Sequence, residues 1–149
     1  MKLETSVKGN CITIVGRIDD TAQLHGLAAH VPVGKVVVDT EGVTFVNSIG
    51  MREWIRLIRA LRETGRSIVL ERVADVLMTQ MNLIAELAGA VTISSFHAQY
   101  VCPSCGHEGT PLVDVGSGLA KMPALPCPEC GSAMELGDFP ERYLMIFKG

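Results

Sequence analysis

Four of the five cysteines fall into two short motifs, and these are the residues best suited to chemistry. Residues 102–107 read CPSCGH and residues 127–132 read CPECGS, so each motif is a C-P-x-C-G knuckle. Two residues between the cysteines let both thiolates face one ion, and the following glycine can adopt the positive φ of a tight turn. Four thiolates on two such knuckles predict one tetrahedral metal site.

Zinc is the metal that this set of ligands favours. The predicted ligands are Cys102, Cys105, Cys127 and Cys130. Iron in a rubredoxin-like site uses the same ligands, so an iron electron carrier is an alternative of another class. Disulfides or redox-active thiols are a further alternative, but a redox C-x-x-C does not explain a matched second copy. Four protein ligands leave no open position for water or substrate, which indicates a structural site.

A second candidate is the serine in VTFVNSIGMREW, residues 43–54, where an apolar strand meets an amphipathic helix. Asn47 and Ser48 can both cap this helix, because their side chains accept hydrogen bonds from free backbone N–H groups. Capping leaves Gly50 unexplained, since glycine weakens a first helical turn by up to about 1 kcal/mol relative to alanine. Gly50 instead indicates close approach of another backbone or of a bulky group. A phosphoryl group on Ser48 fits, because a helix N-terminus favours an anion.

Arginines follow the serine along the same helix. Arg52, Arg56 and Arg59 fall on one stripe, at spacings of four and three residues. This stripe is either a solvated helix face or a docking surface for an acidic partner. A phosphate of about −1.5 to −2 charge on the adjoining serine would change such a surface strongly.

Hydrophobic patterning predicts the elements that position these residues. The predicted strands are residues 2–8, 11–18, 35–40, 43–46, 67–73 and 91–101. The predicted helices are residues 21–30, 49–64 and 74–90, and a loop at residues 41–42 separates the two central strands. Alternating strands and helices imply an α/β fold with a mixed β-sheet and helices packed on it.

Composition and charge bound the class of protein. We expect an α/β domain over residues 1–100, followed by a Cys₄ zinc-ribbon segment with an aromatic C-terminal tail over residues 101–149. Neither part has the basic excess that nucleic-acid binding needs. No apolar run approaches the ~20 residues of a membrane span, and no signal sequence is visible, so we expect a cytoplasmic protein. The sequence shows neither a nucleophile–base pair nor a phosphate-binding loop, so we do not expect an enzyme.

Residues 36–73, VVVDTEGVTFVNSIGMREWIRLIRALRETGRSIVLERV, resemble the core of STAS domains, the bacterial anti-anti-sigma factors or anti-sigma factor antagonists. The positions that match the family pattern are Asp39, Val43, Phe45, Ser48, Gly50 and Met51. Asn47 departs from it by replacing an aspartate, and Ile49 replaces a small residue. The resemblance covers about residues 1–98 and implies a STAS-like mixed sheet, to which the small C-terminal zinc ribbon is appended.

The resemblance also implies a function. In the family, a GHKL-type serine kinase that doubles as the anti-sigma factor phosphorylates the matching serine, and a PP2C-type phosphatase reverses this. Phosphorylation of Ser48 is therefore expected to regulate a non-enzymatic module of signal transduction and transcription regulation. The expected partner contacts are Asn47, Gly50, Arg52, Arg56 and Arg59. The alternative is an unphosphorylated STAS scaffold or accessory subunit of the stressosome or lipid-transport type, which Asn47 favours.

Overall fold

The structure, a computed structural model, describes residues 2–84, 87, 89–116 and 121–147 of the chain. Within these residues it contains a five-stranded mixed sheet with helices packed on it, and two smaller sheets formed with the cysteine segment. The predicted α/β class and mixed sheet are confirmed. None of the described helices is long and apolar enough to cross a membrane.

The strands of the main sheet lie side by side in chain order. They are β1 (Glu4–Lys8), β2 (Cys11–Ile18), β3 (Lys35–Val46), β4 (Ser67–Glu71) and β5 (Thr92–Ile93). β1 and β2 form an antiparallel hairpin, whereas β2 to β5 pair in parallel. Burial alternates along the parallel strands, so that one face of the sheet is buried and the other is only partly covered. The buried face carries Ile12, Ile14, Val36, Val38, Ile68 and Leu70.

Helices connect the parallel strands. A 3₁₀ helix (His25–His30) precedes β3, α1 (Ser48–Glu63) joins β3 to β4, and α2 (Asp75–Met81) follows β4. The apolar face of α1 is buried and consists of Met51, Trp54, Leu57, Ile58 and Leu61. The helix ends where expected, because Gly65 takes a φ of 82° and the amide of Arg66 donates to the carbonyl of Leu61.

The cysteine segment forms two small antiparallel sheets and a short helix. A four-stranded sheet has the order β10 (Leu125–Pro126), β11 (Ala133–Leu136), β7 (Tyr100–Val101) and β8 (Glu108–Gly109). A second sheet pairs β6 (Ser95–His97) with β9 (Leu112–Asp114), and α3 (Glu141–Leu144) runs into a 3₁₀ turn (Met145–Phe147). Strands on both sides of residue 100 thus pair with each other. Independent folding of the two predicted domains stays a prediction.

Two predictions for the first half of the chain are wrong. The predicted helix over 21–30 is only the 3₁₀ helix, because the Asp19 carboxylate binds the amide and hydroxyl of Thr21 and holds a turn there. The predicted loop at residues 41–42 is absent from the described chain, since β3 runs through it. Register shifts in the pairing of β2 with β3 absorb the irregularity, and Asp39 accepts a hydrogen bond from the amide of Glu41.

Two predictions for the second half also need correction. The helix predicted over 74–90 ends at Met81, and residues 85, 86 and 88 of that prediction lie outside the described residues. The strand predicted over 91–101 is three short strands in three different sheets. β5 pairs with β4, β6 pairs with β9, and β7 pairs with β8 and β11, so the chain changes partner twice.

Candidate metal centre and serine corner

The two knuckles share one backbone geometry. The amide of Gly106 donates to the carbonyl of Cys102, and the amide of Gly131 donates to the carbonyl of Cys127, both at 2.9 Å. Both glycines have a φ of 79°, in the left-handed region that disfavours a side chain. In each knuckle the amide of the first cysteine also donates to the carbonyl five residues later, at 2.8 Å. The sequence pattern therefore specifies two copies of the same tight turn.

These turns bring the four sulfur atoms within 4.8 Å of one another. Across the knuckles, the sulfur atoms of Cys102 and Cys130 are 3.5 Å apart, and those of Cys105 and Cys127 are 3.7 Å apart. A tetrahedral ion with metal–sulfur distances of ~2.3 Å needs sulfur separations of ~3.8 Å, whereas a disulfide needs ~2.0 Å. The cluster therefore fits a bound metal ion. Zinc and iron both accept this geometry.

The environment of the thiols is uneven. The first cysteine of each knuckle is buried and the second is exposed. The pKa of Cys130 is lowered to about 6, because the backbone amide and then the side chain of Ser132 hydrogen-bond to its sulfur. A hydrogen bond from the amide of His107 acts to lower the pKa of Cys105, but desolvation and the neighbouring thiols raise it overall to about 12. A dication among these sulfurs would replace the protons that they share.

Ser48 is exposed in the first turn of α1, and Asn47 is the residue that caps the helix. Asn47 Oδ1 accepts a hydrogen bond from the amide of Gly50 at 2.8 Å. The Ser48 hydroxyl makes no hydrogen bond to any residue that the structure describes. Capping is therefore the role of Asn47, and the hydroxyl of Ser48 does not take part in it.

Gly50 is buried where α1 crosses the end of β2. A Cβ atom at this position would lie 1.8 Å from the carbonyl oxygen of Ile18 and 2.9 Å from the amide nitrogen of Asp19. Of the two explanations expected for this glycine, the close approach of another backbone is therefore sufficient. Gly50 gives no separate support for a phosphate, and it contributes to a partner surface only by letting α1 lie against β2.

A groove of about 250 Å³ lies beside Ser48, between α1 and the chain that follows α2. Its lining consists of Ser48, Met51, Arg52, Ile55, Gln80, Leu83 and Ile84. The side chain of Leu83 is 75% exposed, and Ile49, next to the serine, is 53% exposed. Exposed aliphatic side chains next to an arginine are typical of protein contact surfaces.

The three arginines of the stripe are all exposed, but their surroundings differ. Arg52 lines the groove beside Ser48. Arg56 makes an ion pair with Glu53 at 3.3 Å, while Arg59 lies one turn further along, beside a second hollow near the end of α1. Of the three predicted contact arginines, Arg52 is thus the one nearest to the serine corner.

Glu53 is a structural residue that the sequence analysis did not identify. Its Oε1 accepts hydrogen bonds from the amides of Leu24 and His25 at 2.8 and 3.0 Å, and lies 2.6 Å from His25 Nδ1. Burial acts to raise the pKa of Glu53, but the hydrogen bonds from His25 and Leu24 lower it to about 2. The sequence signal that could have identified Glu53 is its position, since it is an acidic residue among the apolar positions of α1.

A second polar network ties the main sheet to the cysteine segment. The guanidinium of Arg72 pairs with Asp39 and, at 3.4 Å, with Glu41. His97 Nε2 lies 2.8 Å from Glu41 Oε2, and its Nδ1 lies 2.6 Å from the carbonyl oxygen of Thr110. These residues are 13 to 56 positions apart in the sequence, so no local pattern links them.

Comparison with known proteins assigns no family. No protein-family model matches the chain, and no curated protein matches it. Two features of the chain itself bear on function: the four-sulfur cluster, and the exposed Ser48 beside an apolar groove.

Proposed function

We propose that this protein is a non-enzymatic signalling module resembling the bacterial anti-anti-sigma factors, and that reversible phosphorylation of Ser48 controls its binding to a protein partner. One observation carries the proposal. Ser48 is exposed at the start of a 16-residue helix, while Asn47 provides the cap. An exposed serine that does not cap the helix can gain a phosphate at little cost to the fold.

The electrostatics of the corner support a charge at this position. The amides of the first helical turn and the helix dipole favour an anion by about 0.3–1 kcal/mol. Arg52 lines the same groove as Ser48 and offers a charge-assisted partner for a phosphate. A partner that covers the corner would instead have to bury that charge, which costs several kcal/mol when it is unpaired. Phosphorylation is thus tolerated by the fold and opposed by the complex.

The proposed partner is a GHKL-type serine kinase that also acts as an anti-sigma factor, with a PP2C-type phosphatase restoring the free serine, in the cytoplasm. This assignment rests on the STAS-like residues from Asp39 to Met51, and the order of the elements supports it. A sheet built from one antiparallel and four parallel strands in chain order presents the serine at the strand-to-helix corner. The exposed apolar groove beside it suits a protein rather than a small polar ligand.

We further propose that the Cys₄ centre holds zinc in a structural role. Four protein thiolates complete a tetrahedral shell and leave no position for a reacting molecule. The short strands of this segment offer little core of their own, so metal binding would supply much of its folding energy. An iron centre would give a red protein, whereas a zinc centre is colourless.

Phosphopeptide mapping of the protein isolated from the cells that naturally make it tests the proposed function. The expected result is a phosphate on the peptide that contains Ser48, which disappears in a Ser48→Ala strain. Ser6 and Ser67, exposed serines on β1 and β4, serve as internal controls and should carry none. A protein whose Ser48 stays unmodified under every growth condition would contradict the phosphoswitch and favour a scaffold function.

A further inference from the structure

The C-terminal segment, residues 139–147, lies across α2 and contacts both of its ends. At the start of α2, the hydroxyl of Tyr143 donates to Asp75 Oδ1 at 2.5 Å and accepts from the amide of Gln99 at 3.1 Å. The ring of Tyr143 is buried and stacks on Phe96, with ring centres 5.9 Å apart. Burial and the Asp75 carboxylate both raise the pKa of Tyr143, so its hydroxyl stays a donor.

At the other end of α2, the same segment forms two hydrogen bonds with the side chain of Asn82, and we call this arrangement the clasp. Its Nδ2 donates to the carbonyl of Glu141 at 2.6 Å, and its Oδ1 accepts from the amide of Ile146 at 2.9 Å. Asn82 is only 6% exposed, so water could not easily take the place of a hydrogen bond that is lost here, and the loss would be costly. The helix is only seven residues long, and no side-chain cap fixes its N-terminus. A helix this short depends on tertiary contacts for its position.

Along the chain, the residues of the clasp adjoin both the cysteine segment and the surface beside Ser48. On one side, only β11 and a short turn separate Cys130 from α3. On the other side, Leu83 and Ile84 follow Asn82 directly, and both line the groove that contains Ser48. The order of the C-terminal segment therefore bears on the shape of that groove.

We propose that Asn82 and the C-terminal segment position the end of α2, and that metal binding at the four cysteines thereby governs the groove beside Ser48. Metal binding would order the small cysteine segment and, through β11, hold α3 on Asn82. Without metal the clasp would open, and residues 82–84 would leave their place in the groove. The consequence for partner binding rests on the function proposed above, whereas the coupling itself does not.

Hydrogen exchange of the full chain, followed by mass spectrometry, tests this coupling without a partner. The metal-loaded protein is compared with protein stripped by a chelator under reducing conditions. Exchange should rise about tenfold or more in residues 100–116 and 121–136 and also in residues 75–84, while β1 and β2 stay protected. A rise in residues 100–116 and 121–136 with no change in residues 75–84 would overturn the proposal. An equal rise in β1 and β2 would also overturn it, because the effect would then be global unfolding.

Variants of the metal-loaded protein test the clasp directly. Asn82→Ala should raise exchange about tenfold in residues 80–84 and 141–147 and leave the knuckles protected. Gln80→Ala is the matched control, because Gln80 is exposed on the same helix and its side chain makes no hydrogen bond to residues 139–147. Equal exchange in the two variants would refute a positioning role for Asn82. Neither result depends on Ser48, so failure of the clasp and failure of the phosphoswitch are distinguishable.

Discussion

The backbone of Gly50 lies directly against the carbonyl of Ile18, so close that a Cβ atom at position 50 would be 1.8 Å from that oxygen. Gly50→Ala must therefore push α1 away from β2, because a backbone carbonyl cannot move aside like a flexible side chain. We expect the free energy of unfolding to fall by about 3 kcal/mol or more. Urea denaturation followed by the fluorescence of the single tryptophan, Trp54, measures this change.

Gly26→Ala is the control for that prediction. Gly26 lies in the 3₁₀ helix, and a Cβ at this position meets no atom within 4 Å. The substitution should be neutral or stabilise by up to about 1 kcal/mol, because alanine restricts the unfolded chain. Similar losses in both variants would show that the contact with Ile18 is not the cause.

Metal content is the second prediction. The purified protein should contain about one zinc ion per chain and be colourless, because two knuckles share one tetrahedral site. Cys105→Ser should lower the zinc content strongly, whereas Cys11→Ser should keep it, since Cys11 lies on β2 and is not part of the cluster. Elemental analysis of the three proteins decides this. Metal-free wild-type protein, or a full equivalent in Cys105→Ser, would contradict the assignment.

The third prediction concerns acid stability and Glu53. Because the pKa of Glu53 is lowered from 4.5 to about 2, the folded state favours the ionised carboxylate. The stabilisation is fully present above the unfolded pKa near 4.5 and is lost as the pH falls towards 2. We expect roughly 2–3 kcal/mol of acid-labile stability from this group. Urea midpoints between pH 7 and pH 3 measure it.

Glu53→Gln tests the origin of that pH dependence. Glutamine keeps an oxygen for the amides of Leu24 and His25 but does not titrate, so the variant should lose less stability than wild type between pH 5 and pH 3. Glu63→Gln, at the exposed end of α1, is the control and should follow wild type. Parallel pH profiles for wild type and Glu53→Gln would rule out Glu53 as the source.

Local patterns were enough to predict the β1–β2 hairpin, helix α1 with its glycine stop, and the sulfur cluster. The hairpin and the helix depend on residues that are close in sequence. The sulfur cluster was predictable because two matched knuckles are explained by their binding one shared ion. The identity of the cap was not predictable, because Asn47 and Ser48 are equally suited to it by type. Only the backbone direction at the corner places the Asn47 oxygen on the amide of Gly50.

The predictions failed where distant contacts determine the local structure. α2 was predicted too long because its apolar pattern continues beyond Met81. The residues that bind Asn82 at the end of the helix are Glu141 and Ile146, which lie 59 and 64 residues further along the chain. The predicted last strand divides because its segments pair with three different sheets. His25 and His97 showed no partner in the sequence, since the carboxylates that they meet are 28 and 56 residues away.

A partner-binding titration shows directly whether Ser48 is the switch. The protein partner recovered with unphosphorylated wild type is titrated with wild type, Ser48→Ala, Ser48→Asp and Ser67→Asp. The last variant is the control, because it adds the same charge at an exposed serine on β4. Circular dichroism confirms that all four proteins are folded.

If Ser48 is the switch, Ser48→Ala and Ser67→Asp bind like wild type, while Ser48→Asp binds at least about 100-fold more weakly. Burying an unpaired charge under the partner costs several kcal/mol, and each ~1.4 kcal/mol is tenfold in affinity. Equal affinity of all four proteins for the same partner would contradict the claim and leave Ser48 outside the binding surface.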